Sequence, residues 1–243
     1  MNLVIDIGNT VAKLVAFSGN EPIEAIRTPN HSLEHLHDFA HKHPFERGIV
    51  STVIGLSTQA QQQLEALPFP LLHLNHTTPL PIVCNYHTPH TLGPDRIAAA
   101  VGAWSQQPGH PILVIDAGTC ITYEYIDHNG HYHGGSISPG LQMRLRSLHA
   151  FTGKLPLVDG QGPLPEVGYD TDTCIRTGVV YGIQQEMAGR IRQFEARHPG
   201  LLVFLTGGDV FDFDTKIKSH IFADRLLVPK GLNSILQFNN EKT

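Results

Sequence analysis

Charged side chains are scarce in this sequence: Asp, Glu, Lys and Arg make up 16% of 243 residues, against 41% hydrophobic residues. A soluble chain usually carries about a quarter charged residues, and a disordered one needs many charges and few apolar groups, so the balance here demands a folded core. No long run of one sign occurs, and the net charge of −5 argues against a nucleic-acid or anionic-membrane surface. Cysteine is rare as well. Cys84, Cys120 and Cys174 form no CxxC pair, which excludes a disulfide framework and a thiolate zinc cluster and points to a reducing compartment. Apolar runs stay far short of a membrane span, and the opening MNLVIDIGNT has no basic leader, so the expected location is cytoplasmic.

Histidine, by contrast, is abundant, with 16 copies. His31/His35 and His37/His41 are each four apart, a spacing that lets one helix face hold a metal, although no cysteine or carboxylate pair completes the set. A solvated helix face is the simpler reading.

Hydrophobic periodicity divides the chain into two similar halves, residues 1–110 and 111–243. In the first, NLVIDIG, VAKLVAFSG and PIEAIRT read as an antiparallel meander. A helix capped by Ser32 and striped by Leu33, Leu36 and Phe39 follows, then strand, helix and strand, and finally a helix opened by Gly93-Pro94. In the second, PILVIDAG, TCITYEYID and HYHGGSIS repeat the three strands, with a hairpin at Asn129-Gly130. A helix striped by Leu141, Leu145 and Leu148 and a longer one running from Ile175 to Phe194 come next. VIDIGNT and VIDAGT, each a strand ending in Asp-x-Gly, are the internal repeat that marks a duplicated α/β fold.

Both Asp-x-Gly turns suit phosphate and its metal: the carboxylate ends a strand, and the glycine lets backbone N–H groups face a ligand. Asp6-Ile7-Gly8-Asn9-Thr10 alone is equally good hairpin chemistry, but a second copy at Asp116-Ala117-Gly118-Thr119 lets the pair clamp a polyphosphate. Thr206-Gly207-Gly208-Asp209 offers close backbone approach to a nucleotide, or a plain strand-to-helix turn. Gly134-Gly135-Ser136-Ile137-Ser138-Pro139-Gly140 leads into a helix N-terminus with amide donors for an anion, or forms a hinge. Gly93-Pro94-Asp95-Arg96 sets a carboxylate able to accept a hydroxyl proton beside a guanidinium able to fork onto a carboxylate. The helix dipole favours an acid there for structural reasons too, and depresses its pKa.

These motifs, with Tyr86 nine residues before Asp95, resemble in order and spacing those of type III pantothenate kinases over nearly the whole chain. The resemblance implies duplicated ribonuclease-H-like halves of the acetate and sugar kinase, heat-shock ATPase and actin superfamily. It implies ATP-dependent phosphorylation of the primary hydroxyl of pantothenate in a homodimer that uses ATP-bound magnesium and a monovalent cation, potassium or ammonium. By position, Asp6, Ile7, Gly8, Asn9, Thr10, Val11, Ala12 and Lys13 would line the ATP phosphates, with Asp6 near magnesium, and Thr119 would contact ATP. Asp95 would accept the proton, Tyr86, Gly93, Pro94, Asp95, Arg96 and Thr171 would hold pantothenate, and Asp116 would bind the monovalent ion. Thr171 also stands where a helix cap is expected. Another small-molecule kinase of the same fold, or a non-catalytic nucleotide-binding regulator, would need the same Asp-x-Gly turns; the intact Gly-x-Asp-Arg element separates them.

Overall fold

A computed structural model describes residues 1–209 and 221–241. The chain forms two compact units that interleave in sequence. Met1–His110, Glu124–Gly134 and Leu226–Thr243 make the first, and Pro111–Tyr123 with Gly135–Arg225 make the second.

In the first unit, β1 (Asn2–Ile7), β2 (Ala12–Ser18) and β3 (Glu21–Thr28) form the expected antiparallel meander, and β4 (Arg47–Thr52) and β5 (Leu71–His73) extend it in parallel, giving the order β3-β2-β1-β4-β5. The central strand β1 is buried from Leu3 to Ile7 because both faces are covered. On one face Leu3, Ile5, Ile7 and Leu14 pack with α1 (Leu36–Lys42) and α2 (Thr58–Glu65) through Leu36, Phe39 and Leu64. On the other, α3 (Pro94–Gln106) and α6 (Leu227–Asn240) cross in close contact, and α6 lies against β1 and β4. Gly102 and Gly231 make that crossing possible: a Cβ on Gly102 would stand 2.2 Å from the Leu227 carbonyl oxygen, and one on Gly231 1.8 Å from that of Ala98. Strand alternation then puts Val4 and Asp6 on the α3 and α6 side.

The helix expected to start from a Ser32 cap begins later. Leu33 adopts φ +50° and donates its N–H to the Pro29 carbonyl, and the helix opens at Leu36 with His35 before it. Ser32 is buried in that turn, and its hydroxyl has no hydrogen-bond partner.

A second sheet has the order β11-β10-β7-β8-β9-β6. Its second-unit strands include β7 (Ile112–Ala117), flanked in parallel by β10 (Leu202–Gly207), which in turn pairs with β11 (Ile221–Ala223). β8 (Cys120–Ile126) and β9 (His131–Pro139) form the hairpin expected at Asn129-Gly130, where Gly130 takes φ +80°. The hairpin tip belongs to the first unit, where His131 and Tyr132 pair with β6 (Val83–Cys84). α4 (Leu141–Ala150) and α5 (Thr171–Glu195) complete the second unit, with Ile175, Val179, Ile183, Met187 and Ile191 of α5 buried along one stripe.

Candidate active site

The first unit holds the expected residues from Asp6 to Lys13 together with Tyr86 and Gly93 to Arg96. Asp6 ends β1 and faces Lys13 on β2 and Ser51 on β4, its register partners, so all three side chains share a face of the sheet. Asp6 is 9% exposed, and burial raises its carboxyl to about 6; the Lys13 charge opposes that rise and the Asp95 charge adds to it. Lys13 thus tempers an accumulation of acid next to Asp95. Ser51 is buried with a hydroxyl that has no hydrogen-bond partner.

The turn after β1 is tight. The Gly8 N–H donates to the Val11 carbonyl at 3.1 Å, and Asn30 Nδ2 donates to the carbonyl oxygens of Gly8 and Asn9, both at 3.0 Å. Asn9 and Thr10 remain exposed at its tip. Asn30 lay outside every motif, and a lone asparagine between two elements carries no signal that it will pin a turn 22 residues earlier.

Asp95 sits in the first turn of α3, with Gly93 as the N-cap and Pro94 at the first helical position. Its Oδ1 accepts from the Arg96 N–H at 2.9 Å. A Cβ on Gly93 would lie 2.6 Å from that oxygen, so the glycine is what leaves room for the carboxylate. Burial raises the Asp95 pKa, and the hydrogen bond and charge of Arg96 only partly offset it. The dipole-driven depression expected from sequence is therefore reversed, and the carboxylate is a stronger base than an exposed aspartate.

Arg96 differs from its expected arrangement. Its guanidinium forks onto Glu124, with Nε to Oε1 at 2.6 Å and Nη2 to Oε2 at 2.9 Å, rather than standing open for a substrate carboxylate. Tyr132 donates its hydroxyl to Glu124 Oε2 at 2.5 Å, and the guanidinium carbon lies 5.6 Å from the centroid of the Tyr86 ring. Burial opposes the Arg96 charge, but the Glu124 contact outweighs it and raises the pKa; burial and the Glu124 charge likewise raise that of Tyr132. Gly134 closes this layer: with φ +89°, it lets the Tyr86 ring approach to where a Cβ would be 2.9 Å away. Sequence reasoning missed Glu124 and Tyr132. Their signal was a glutamate and a tyrosine within otherwise apolar strands.

In the second unit the three glycine elements meet. Asp116 at the end of β7 pairs in register with Thr206, and the Ala117 carbonyl accepts from Gly208 and Asp209, each at 3.0 Å. Gly207 has φ +105°, and a Cβ there would be 2.2 Å from the Ala117 carbonyl oxygen. A Cβ on Gly140 would stand 2.1 Å from the carbonyl oxygen of Gly118 and 2.6 Å from that of Thr119. Asp116 is half-buried and Thr119 exposed. The Asp209 carboxylate, raised by burial, accepts from the Leu141 N–H, so it occupies part of the α4 N-terminus that the sequence left open for an anion.

Thr171 does not cap α5. Asp170 does, accepting from the Thr173 N–H at 2.8 Å in a capping box, and Thr171 is the exposed first helical residue. It lines a cavity of about 720 Å³ between α4 and α5 with Arg144, Leu148, Cys174, Ile175 and Gly178.

The α1 histidines assemble no ligand set. His41 Nδ1 bonds the His37 carbonyl at 2.8 Å and His43 Nε2 bonds Glu24 at 2.8 Å. Among the described residues no helix is long and apolar enough to cross a membrane.

The family model for type III pantothenate kinase matches residues 2–193. A type III pantothenate kinase of Bacteroides fragilis is 56% identical over 240 residues, covering 99% of both chains. One of Phocaeicola vulgatus is 54% identical over 241 residues, covering 99% of this chain and all of the relative. The chain belongs to the type III pantothenate kinase family. Among solved structures, a Campylobacter jejuni protein assigned to the Baf family of transcriptional activators matches with a TM-score of 0.62 at 22% identity, over 98% of this chain and 99% of the other. The activator of 2-hydroxyisocaproyl-CoA dehydratase from Clostridium difficile, with bound ADPNP, matches with a TM-score of 0.55 at 14% identity, over 99% and 95%. These likenesses show the fold, the actin-like ATPase and sugar kinase architecture with its duplicated ribonuclease-H-like halves. The sequence relatives carry the family.

Proposed function

We propose that Asp95 is the proton acceptor in the reaction of this family, phosphorylation of the primary hydroxyl of pantothenate by ATP to give 4′-phosphopantothenate, the first step of coenzyme A biosynthesis. The observation that carries this reading is a half-buried Asp95 of raised pKa, whose charge acts on Asp6, held beside a fixed Arg96. As the hydroxyl oxygen bonds to the γ-phosphorus and the bond to the β-phosphate oxygen breaks, the proton passes to Asp95 and ADP leaves. The transition state is loose, so positioning and charge neutralisation do most of the work.

Residues 6–13 line the phosphates through the Gly8 turn, and Thr119 contacts the nucleotide from the second Asp-x-Gly turn. Tyr86, Gly93, Pro94 and Arg96 hold pantothenate; with its Nε and Nη2 on Glu124, Arg96 meets the substrate through its remaining surface. Magnesium would be held beside Asp6, a desolvated carboxylate that also feels the Asp95 charge and stands by the unpartnered Ser51 hydroxyl, and when bound it would neutralise developing phosphate charge. Asp116 supplies an oxygen ligand for a monovalent cation, potassium or ammonium.

The working form is a cytoplasmic homodimer. Three free cysteines fit a reducing compartment. On α5, Gly178 and Gly182 are exposed, and among the described residues nothing beyond the helix's own backbone lies within 4 Å of a Cβ built there, while Phe151, Val167 and Tyr169 of the same unit are 89%, 78% and 72% exposed. In this reading Thr171, which lines the cavity beside Gly178, contacts the substrate, from its own chain or across the dimer.

A coupled assay of ADP release, with and without pantothenate and with sodium exchanged for potassium, tests the reading. Release that requires pantothenate supports it. Nucleotide binding with no pantothenate-dependent release replaces it with a regulator that uses the same clamp.

A further inference from the structure

The turn between β8 and β9 gathers three metal-ligating side chains outside the site described above. Asp127, His131 and His133 each offer a ligand atom, and the three atoms lie within 4.8 Å of one another. Asp127 divides its oxygens between two tasks. Oδ1 builds the turn, accepting from the N–H groups of Asn129 at 2.9 Å and His131 at 3.0 Å. Oδ2 faces the imidazoles, 2.9 Å from His133 Nε2 and 3.4 Å from His131 Nδ1. Donors that share one cation through bonds of about 2.1 Å stand about 3.0–3.4 Å apart in octahedral or tetrahedral geometry. Two of the three pairs thus have ligand spacing before any ion arrives.

The backbone holds this arrangement. Asp127 N–H donates to the His131 carbonyl and Gly130 N–H to the Asp127 carbonyl, both at 3.0 Å. Gly130, at φ +80°, is backed by the Trp104 indole, which a Cβ there would meet at 2.9 Å. Strand alternation sets His131 and His133 on one face of β9, while the buried Tyr132 between them points the other way, to Glu124. The Tyr125 ring stacks on that of His133 at 5.7 Å between centroids. Closing the third distance takes only side-chain rotation of two accessible imidazoles.

We propose that Asp127, His131 and His133 form a surface site for a divalent transition-metal ion, with Zn²⁺ as the ion it takes and water completing the shell. Two imidazoles and one carboxylate suit that class and disfavour magnesium, which prefers an all-oxygen octahedron, so the site is separate from the metal that accompanies ATP. In the metal-free arrangement His133 Nε2 bonds Asp127; coordination requires its proton on Nδ1, a change of tautomer that leaves the backbone untouched. A bound ion ties the turn to β9 and fastens the hairpin that carries Glu124 and Tyr132.

Titration with Zn²⁺ by calorimetry, in a non-chelating buffer with excess magnesium, tests the proposal, with Co²⁺ absorption reporting ligand type. One ion bound per chain at micromolar concentration is expected at this site, with a rise in the thermal midpoint. His131→Ala with His133→Ala should remove that ion and the rise, while leaving kinase activity in zinc-free buffer with magnesium unchanged. Asp127→Asn keeps an acceptor for the turn amides but removes the charged ligand, and should weaken binding by more than the roughly tenfold loss that follows removal of a group behind the ligands. A His37→Ala, His41→Ala control should bind as the parent does. Binding that survives the β9 double variant, that disappears in the α1 control, or that needs millimolar Zn²⁺ in the parent overturns the assignment.

Discussion

Arg96 lays Nε and Nη2 on the two carboxylate oxygens of Glu124, at 2.6 and 2.9 Å, with the glutamate fully buried and the arginine 7% exposed. A buried pair of this kind gains little net stability by existing, yet removal of one partner strands a charge and costs about 3–5 kcal/mol. Glu124→Ala should therefore lower stability by that order, read as a shift of the urea midpoint. Glu124→Gln, which keeps shape and one acceptor, should fold and raise the KM for pantothenate more than that for ATP. Equal effects on the two KM values would detach this pair from the pantothenate side.

Asp95→Asn should fold, bind ATP nearly as the parent does, and slow phosphoryl transfer by about 10²–10⁴, the usual worth of a positioned general base. Gly93→Ala tests the same group by crowding. Its Cβ would fall 2.6 Å from Asp95 Oδ1, so the carboxylate must turn away, and kcat should drop while the melting temperature moves little. Single-turnover rates separate the chemical step from product release. Unchanged turnover in Asp95→Asn refutes the base assignment.

Asp6 makes a prediction about pH. Its carboxyl is raised from 3.8 to about 6, first by burial, so the folded state favours the protonated form. The associated stability is complete below pH 3.8 and is lost as the pH rises through about 6. At pH 7.5 the ligand-free protein thus carries a buried charge whose removal is worth about 3 kcal/mol at most. Asp6→Asn should flatten stability between pH 4 and 7 and melt higher than the parent at pH 7.5, while losing most use of the magnesium complex of ATP. Calorimetric scans across that range check the sign. A parent protein that gains stability from pH 4 to 7 with no difference in the variant contradicts it.

What the sequence disclosed was local. The Asp-x-Gly turns, the Gly93 cap and the β8–β9 hairpin are written in contiguous residues whose conformational preferences act without help from the rest of the chain. Glu124 escaped notice because its partner lies 28 residues away and strand alternation does not say which polar residue will be enclosed. The Glu124 partner of Arg96 stayed hidden for the same reason, since a guanidinium in a motif does not announce what it already binds. The Ser32 cap failed because a buried turn took precedence over local capping preference, with Leu33 entering left-handed backbone space at φ +50°. At α5 the capping chemistry was visible but shifted by one residue, from Thr171 to Asp170.

Asp116→Ala should abolish the response to potassium or ammonium together with most activity, whereas Asp6→Ala should weaken use of magnesium and leave the monovalent response in what activity remains. Both carboxylates end equivalent strands, β7 and β1, and phosphate chemistry needs positive charge on each side of the chain of phosphates. Titrating each variant with both ions separates the two. An Asp116→Ala protein that answers potassium as the parent does removes the assignment.

Assembly follows from the exposed face of the second unit. Gly178 and Gly182 stand one helical turn apart on α5 with open space beside them among the described residues, next to a cavity lined by Leu148, Ile175 and Thr171. Close packing within one chain was the other account of these glycines, and among the described residues no other element comes within 4 Å of a Cβ built at either. Replacing either with a bulky residue should leave the fold intact and disrupt association, with Gly178→Leu sedimenting as a monomer where the parent sediments as a dimer. If Thr171 completes the partner's site, Asp95→Asn and Thr171→Arg chains should each be nearly inactive alone. Mixed after dissociation, they should regain activity, because each heterodimer then holds one site with an intact Asp95 and an intact Thr171. A fully active monomer at assay concentration rules out the dimer requirement, and a dimer without complementation returns Thr171 to its own subunit.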